Sequence, residues 1–435
     1  MTPIEIGMIA LAAMGVLVLL GLYVPIALIV CSFGGVWAIK GSALLAGKML
    51  AIAANEAVAS YFFGVIPLFV MMGFIVSESG LGRDAFDVAN TIFRRLRGGL
   101  GIGTVGANAI FAAITGVSIA SAAVFTKIAV PQMVRHGYTP RFAVGVVAGS
   151  SVLGMLIPPS LLLILYGIIT EQSIGDLFMA GVGPGLLLSA AFVTGIMLMA
   201  RFWPSYVGRP DDTDIPALTF RELLAKSVPI SALILLVLGG IYGGLFTPVE
   251  AGAMGSIGAL AIGFMKRALD FGALRRILIE TGLVTASVCF LIIAAQMYSR
   301  MLAFSGLPAG LASFATDADL SYLGLIAMYL LIVIALGMVL DSTSIMLIMV
   351  PLMMPVIVPM GVDLVWFGIV TLIAIEVGLL TPPFGLSVFV IKATLEDQSI
   401  TLGDIFKGAA PFILIMLGVL AAVVAVPSIA TGLVY

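Results

Sequence analysis

Charge is what this sequence lacks most. Lys, Arg, Asp and Glu make up 10% of its 435 residues and apolar residues 62%, whereas a soluble domain is about 25% charged and about 45–50% apolar. Such a chain cannot cover itself with polar surface, and it is expected in a lipid bilayer. The net charge of −2 leaves no basic field for a nucleic acid. Histidine occurs once, as His136 in a basic loop, which leaves no clustered soft ligands for a metal. Cys31 and Cys289 both lie in apolar segments and read as buried unpaired thiols. Gly41 to Lys48 fails as a phosphate loop, because Met49 stands where Ser or Thr is needed, so no ATP is expected. A Gly-x-Ser-x-Gly elbow and a His-Glu-x-x-His pair are also missing, which argues against a membrane hydrolase.

What is present is one long unit written twice. Leu22-Tyr23-Val24-Pro25 returns as Leu245-Phe246-Thr247-Pro248, and Ser79-Gly80-Leu81 as Ser305-Gly306-Leu307. Pro131 falls opposite Pro351, Ile157-Pro158-Pro159 opposite Thr381-Pro382-Pro383, and Glu171-Gln172-Ser173-Ile174 opposite Asp397-Gln398-Ser399-Ile400. The offsets run from 220 to 226. Interrupted apolar segments at matching places in two repeats point to the binding site of a secondary transporter.

A spanning helix needs about 20 apolar residues. Spans are expected near 3–22, 24–40 and 60–80, with counterparts near 228–246, 248–265 and 278–302. The last spans of the units are 177–200 and 408–432; with segments broken by Pro-Pro at 142–170 and 364–391, this gives ten crossings. Two stretches, 99–133 and 322–360, have polar middles, and charge resolves them. Loops 81–99, 134–141, 201–227, 266–276 and 392–407 hold 16 of the 20 Lys and Arg residues. Cytoplasmic loops are enriched in these residues. All five segments fall on one side only if both stretches are re-entrant hairpins, one from the cytoplasm and one from outside. The expected fold is therefore all-α and integral to the membrane. It has two inverted-topology repeats, each with about five spanning helices and one hairpin, and both termini outside. Segment 201–227, with Arg209-Pro210-Asp211-Asp212, reads as the cytoplasmic linker, and 41–59 as an amphipathic helix along the interface.

Irregular backbone at membrane depth must face protein or a wet cavity, so tips and breaks should meet in the middle. The first tip reads Thr115-Gly116-Val117-Ser118-Ile119-Ala120-Ser121, the second Gly337-Met338-Val339-Leu340-Asp341-Ser342-Thr343-Ser344. Their hydroxyls and unwound carbonyls suit a hard cation such as sodium, and their helix N-termini attract carboxylates; alternatively, the hydroxyls only pack between helices. Adjacent prolines remove donors and free the carbonyls of Gly154 to Ile157 and of Gly378 to Thr381, or merely kink the helix. Charges inside apolar runs are functional hypotheses by default. Asp341 ligates a cation or caps a helix, Glu376 reads as a structural partner, Arg300 meets an anionic substrate or snorkels to the interface, and Lys127 snorkels.

At these residues the chain resembles the large membrane subunit (DctM-like, M subunit) of the tripartite ATP-independent periplasmic (TRAP) transporters. The likeness runs end to end through Gly116-Val117-Ser118, Leu156-Ile157-Pro158-Pro159-Ser160, Asp341-Ser342-Thr343 and Leu380-Thr381-Pro382-Pro383-Phe384-Gly385. The resemblance implies Na+-driven uptake of a small organic acid (a C4-dicarboxylate, a keto acid or a sialic or sugar acid) across the bacterial inner membrane. It implies an elevator mechanism, in which 81–200 and 303–435 move against scaffold segments 1–80 and 228–302. A periplasmic solute-binding protein and a small four-helix membrane subunit are the implied partners. One implied sodium site lies at Ser118, Ser121 and the carbonyls around Gly154 to Pro158, the other at Asp341, Ser342, Gly378, Thr381 and Gly385. Substrate is implied between them, near Pro159, Ser160, Pro383 and Arg300. A stand-alone sodium–dicarboxylate symporter and, more distantly, an ion channel are the competing readings.

Overall fold

The computed structural model describes all residues except Ser60, 209–217, 311–312 and 314–321. The first half runs α1 Pro3–Leu19, α2 Val24–Lys40, α3 Ala43–Ala59, α4 Val65–Glu78, α5 Leu81–Phe93, α6 Gly99–Thr115 and α7 Ser118–Arg135. It continues through α8 Pro140–Ser151, α9 Leu153–Leu156, α10 Leu161–Thr170, α11 Ile174–Phe202 and α12 Pro204–Val207. The second half has α13 Phe220–Tyr242, with a π turn at Leu235–Gly239, then α14 Pro248–Met265 and α15 Phe271–Ser305. After them come α16 Tyr322–Gly337, α17 Ser342–Ile357, α18 Leu364–Leu380, α19 Leu386–Thr394, α20 Leu402–Ala425 and α21 Ser428–Thr431. Among the described residues the one extended pairing is an isolated bridge between Tyr138 and Gly208.

Helix starts are marked chemically. Thr2 with Glu5, Thr219 with Glu222, Thr247 with Glu250 and Thr401 with Asp404 form capping boxes that satisfy orphan donors. Pro3, Pro25, Pro140 and Pro248 stand in first turns, where no N–H is required.

Six helical runs among the described residues are long and apolar enough to cross a membrane, or seven if α4 and α5, bent by 66°, count as one. The ten crossings expected from sequence are therefore not all reached by length. Expected spans 3–22 and 24–40 are helices of 17 residues each, roughly 25 Å long against a hydrocarbon core of about 30 Å. The turn at Gly21, with positive φ, and Pro25 beyond it cut one apolar run in two. In contrast, α15 is longer than its expected span, at 35 residues.

Burial separates an inner set of helices from an outer one. The apolar window of the Pro140–Thr170 run is 83% buried, and those of the other five runs 28–39%. In α18 every residue from Val365 to Leu380 is buried. The outer helices present Leu19, Leu186, Leu235, Met265, Leu331 and Leu414 outward, a surface suited to lipid. Helix α15 packs on α1 to α4 and on α17, whereas α20 packs on α8, α11 and α18. Two helical hairpins, α6–α7 and α16–α17, lie against the broken runs.

Segment 81–99, expected as a loop, is largely helix. Leu81, Ala85 and Ala89, with Phe86 and Asn90, form a buried stripe, and Asp84 and Asp87 lie on the other side of α5. The charges hid this period. Lys226 pairs with Asp84 and Asp87, and Lys266 with Asp84. Arg83, Lys127, Arg135, Leu218 and Glu396 line one cleft of about 540 Å³. Arg141 meets Asp404 at 2.8 Å. Residues of all five basic segments are thus gathered together. The linker motif from Arg209 to Asp212 lies outside the described residues.

Candidate functional site

The first tip is a left-handed turn. Gly116 has φ of 67° and Val117 is extended, after which α7 starts at Ser118. The Gly116 carbonyl accepts the Leu161 N–H at 3.1 Å. An added Cβ on Gly116 would run into the Pro159 carbonyl oxygen, and one on Gly154 would lie 2.9 Å from Ser118 Cα and Val117 O. Glycine at these two positions lets the tip touch both sides of the break.

The second tip repeats the construction. The Met338 carbonyl accepts the Gly385 N–H at 3.3 Å. Gly337 and Gly378 pack backbone to backbone, with an added Cβ on Gly378 2.6 Å from Gly337 Cα. Both Pro-Pro bonds, Pro158-Pro159 and Pro382-Pro383, are cis.

Contacts also join the halves. The fully buried Ser118 donates its hydroxyl to Glu376 Oε1 on α18 at 3.3 Å. Ser342 Oγ lies 3.9 Å from Met155 Sδ, so the second tip touches the first break. Tips and breaks meet, as the membrane argument requires.

Several hydroxyls also serve their own helices. Ser121 donates to Val117 O at 3.3 Å and Thr381 to Val377 O at 2.7 Å. Ser160 donates to Met155 O and accepts the Leu163 N–H at 3.3 Å, capping α10. Asp341 caps α17: it accepts the Ser344 N–H at 3.0 Å and the Ser344 hydroxyl. The carboxylate thereby sits at the positive end of a helix.

Arg300 lies elsewhere. It pairs with Glu56 of α3 and lines a cleft of about 300 Å³ with Glu171, Gln296, Ser299 and Pro351. Neither Ser160 nor any tip residue lines this cleft, so the structure does not bring Arg300 to the breaks. Pro159 and Pro383 stand inside the breaks, with Pro383 exposed. Sequence reasoning gave Glu376 only a structural role and did not find its contact with Ser118. A lone carboxylate in the apolar run of α18 was the available signal.

The gathered groups are hydroxyl, carboxylate and carbonyl oxygens, the donor set of a hard cation. No cluster of three His, Cys, Asp or Glu side chains occurs among the described residues. A lipid-facing shell around two hairpin tips and two broken helices, the first pair buried and the second partly open, defines a multi-pass α-helical membrane protein whose tips and breaks offer hard oxygen ligands.

The chain belongs to the family described as the tripartite ATP-independent periplasmic transporter, DctM component, whose model matches residues 6–429. It is a transporter permease subunit and not an enzyme. It is 34% identical to the C4-dicarboxylate TRAP transporter large permease protein DctM of Pseudomonas aeruginosa, over 89% of each chain. It is 30% identical to the isethionate TRAP transporter permease protein DctMQ of Oleidesulfovibrio alaskensis, over 84% of this chain and 56% of that one. In fold it is similar to the YdaH transporter of Alcanivorax borkumensis, with a TM-score of 0.59, 14% identity and 89% of each chain covered.

Proposed function

We propose that this chain is the membrane permease of a sodium-coupled system that takes up a small organic anion, handed to it by a periplasmic binding protein. The observation that carries the reading is that each tip is bonded to its own break, Gly116 O with Leu161 N and Met338 O with Gly385 N. The first sodium lies at Ser118, Ser121 and the backbone from Gly154 to Pro158. The second lies at Asp341, Ser342, Gly378, Thr381 and Gly385. Substrate sits between, against Pro159, Ser160 and Pro383, and passes Arg300 at the cleft.

The repeats are of opposite orientation and the hairpins are re-entrant. The gathering of the basic segments supports this, as does Tyr322 at the start of α16, whose ring stacks on Trp366 at the start of α18 with centroids 6.2 Å apart. An elevator fits the packing: α1 to α4 with α13 to α15 form the scaffold, and the hairpins, broken helices, α11 and α20 move across their contacts with α4 and α15. The basic face is cytoplasmic, both termini are periplasmic, and the membrane is the bacterial inner membrane. A small four-helix subunit enlarges the scaffold. The relatives' names include a C4-dicarboxylate, isethionate, 2,3-diketo-L-gulonate and sialic acid, so the cargo is a small organic acid of one of these kinds.

The test is uptake of labelled C4-dicarboxylate and isethionate into proteoliposomes, with the small subunit and a binding protein, under an inward sodium gradient. Uptake that needs sodium and the binding protein is expected. Uptake without the binding protein would make the chain a stand-alone symporter. Equal uptake in sodium and in choline would remove the sodium assignment.

A further inference from the structure

We propose that Glu376 supplies the fixed negative charge of the first sodium site, which it shares with Ser118, so that this site is built from both halves of the chain. The proposal rests on the sodium-coupled reading above and adds to it a ligand from α18.

Glu376 is 1% exposed, and its nearest chain neighbours from Ala374 to Gly378 are all buried. Oε1 takes the Ser118 hydroxyl at 3.3 Å, and Oε2 is buried with no hydrogen-bond partner. None of the six ion pairs among the described residues includes Glu376. An ionised carboxylate in such a place is costly unless an opposite charge joins it. No basic side chain does so here, and a small cation supplies that charge. Ser118 Oγ is already in reach, and Val117 O lies at the close approach of Gly154 to the tip. Hydroxyl, carboxylate and carbonyl oxygens together are what sodium requires in place of its water shell. Glu376 also stands two positions before Gly378, which packs on the second tip, so α18 carries the carboxylate to the first tip and its glycine to the second.

The consequence is mechanical. A cation held between Ser118 on the first hairpin and Glu376 on the second broken helix draws the two halves together. Without it, a weak hydrogen bond at 3.3 Å is the only polar contact between these side chains.

The test measures melting of the purified full chain in sodium, potassium and choline chlorides at equal ionic strength. It compares wild type with Glu376→Gln, Glu376→Asp and Asp341→Asn. Glu376→Gln has the same shape and no charge. It should raise the sodium concentration at half-maximal stabilisation by at least about tenfold, whereas Glu376→Asp should keep a sodium-specific rise with a displaced midpoint. A sodium response of Glu376→Gln equal to that of wild type would overturn the proposal and leave sodium coupling standing. No sodium response in wild type would overturn both. If Glu376→Gln does not fold, an unchanged midpoint in Glu376→Asp would overturn the proposal.

Discussion

The Gly116 carbonyl accepts the N–H of Leu161, so the tip of the first hairpin is bonded to the residue at which the first broken helix restarts. The turn that makes this bond has no room for a side chain. Gly116→Ala combines a left-handed backbone, costing about 1–2 kcal/mol for a residue with Cβ, with a collision against Pro159. Gly21→Ala has the same backbone difficulty, with nothing within 4 Å of the new atom. Gly116→Ala should melt well below Gly21→Ala and lose uptake. Equal melting temperatures would mean that the tip is not tightly seated.

Asp341 caps a helix and, in the proposed function, holds sodium. Two substitutions separate these roles. Asp341→Asn keeps an acceptor for the Ser344 N–H and loses the charge, and Asp341→Ala also loses the cap, at a cost of about 1 kcal/mol. Asp341→Asn should fold nearly as well as wild type in choline yet lose much of its sodium stabilisation. Retention of the full sodium response would leave Asp341 as a cap alone.

Arg300 pairs with Glu56 at a partly exposed position, so the pair itself contributes no more than about 1 kcal/mol to stability. If Arg300 guides anions into the cleft, Arg300→Ala should reduce uptake severalfold and Glu56→Ala should not. Equal losses in both variants, in a transport assay at low substrate concentration, would make the pair structural.

Tyr206, outside the long apolar helices, donates its hydroxyl to Gly408 O at 3.0 Å. Burial raises its pKa to about 12, only partly opposed by Arg141. Because the folded value lies above the unfolded one of about 10, its contribution is intact below pH 10 and is lost as pH rises toward 12. Melting temperature should therefore fall more steeply between pH 10 and 12 in wild type than in Tyr206→Phe. Parallel curves would show that the bond to Gly408 does not matter.

Punctuation made the architecture legible. Pro158-Pro159, Pro382-Pro383 and the glycines at 116 and 337 mark breaks and tips because few other residues fit there. Charge was less transparent. The acidic and basic residues of α5 masked a buried stripe from Leu81 to Asn90. Ser118 and Glu376 lie 258 positions apart, and no periodicity reports a contact of that range. Ser160 and Arg300 share the chemistry of substrate ligands, but chemistry carries no distance, and the fold separates them.

Helix α15 carries Arg276 near its start and Arg300 near its end. At 1.5 Å per residue these guanidinium-bearing positions are about 36 Å apart along a single rod. Each end favours water, so the pair acts as a gauge of bilayer thickness. A thinner bilayer must tilt the rod or stretch around it. Tilting moves the wall of the Arg300 cleft, whereas stretching of the lipid leaves it in place, so acyl-chain length reaches this cleft only through the tilt of one helix.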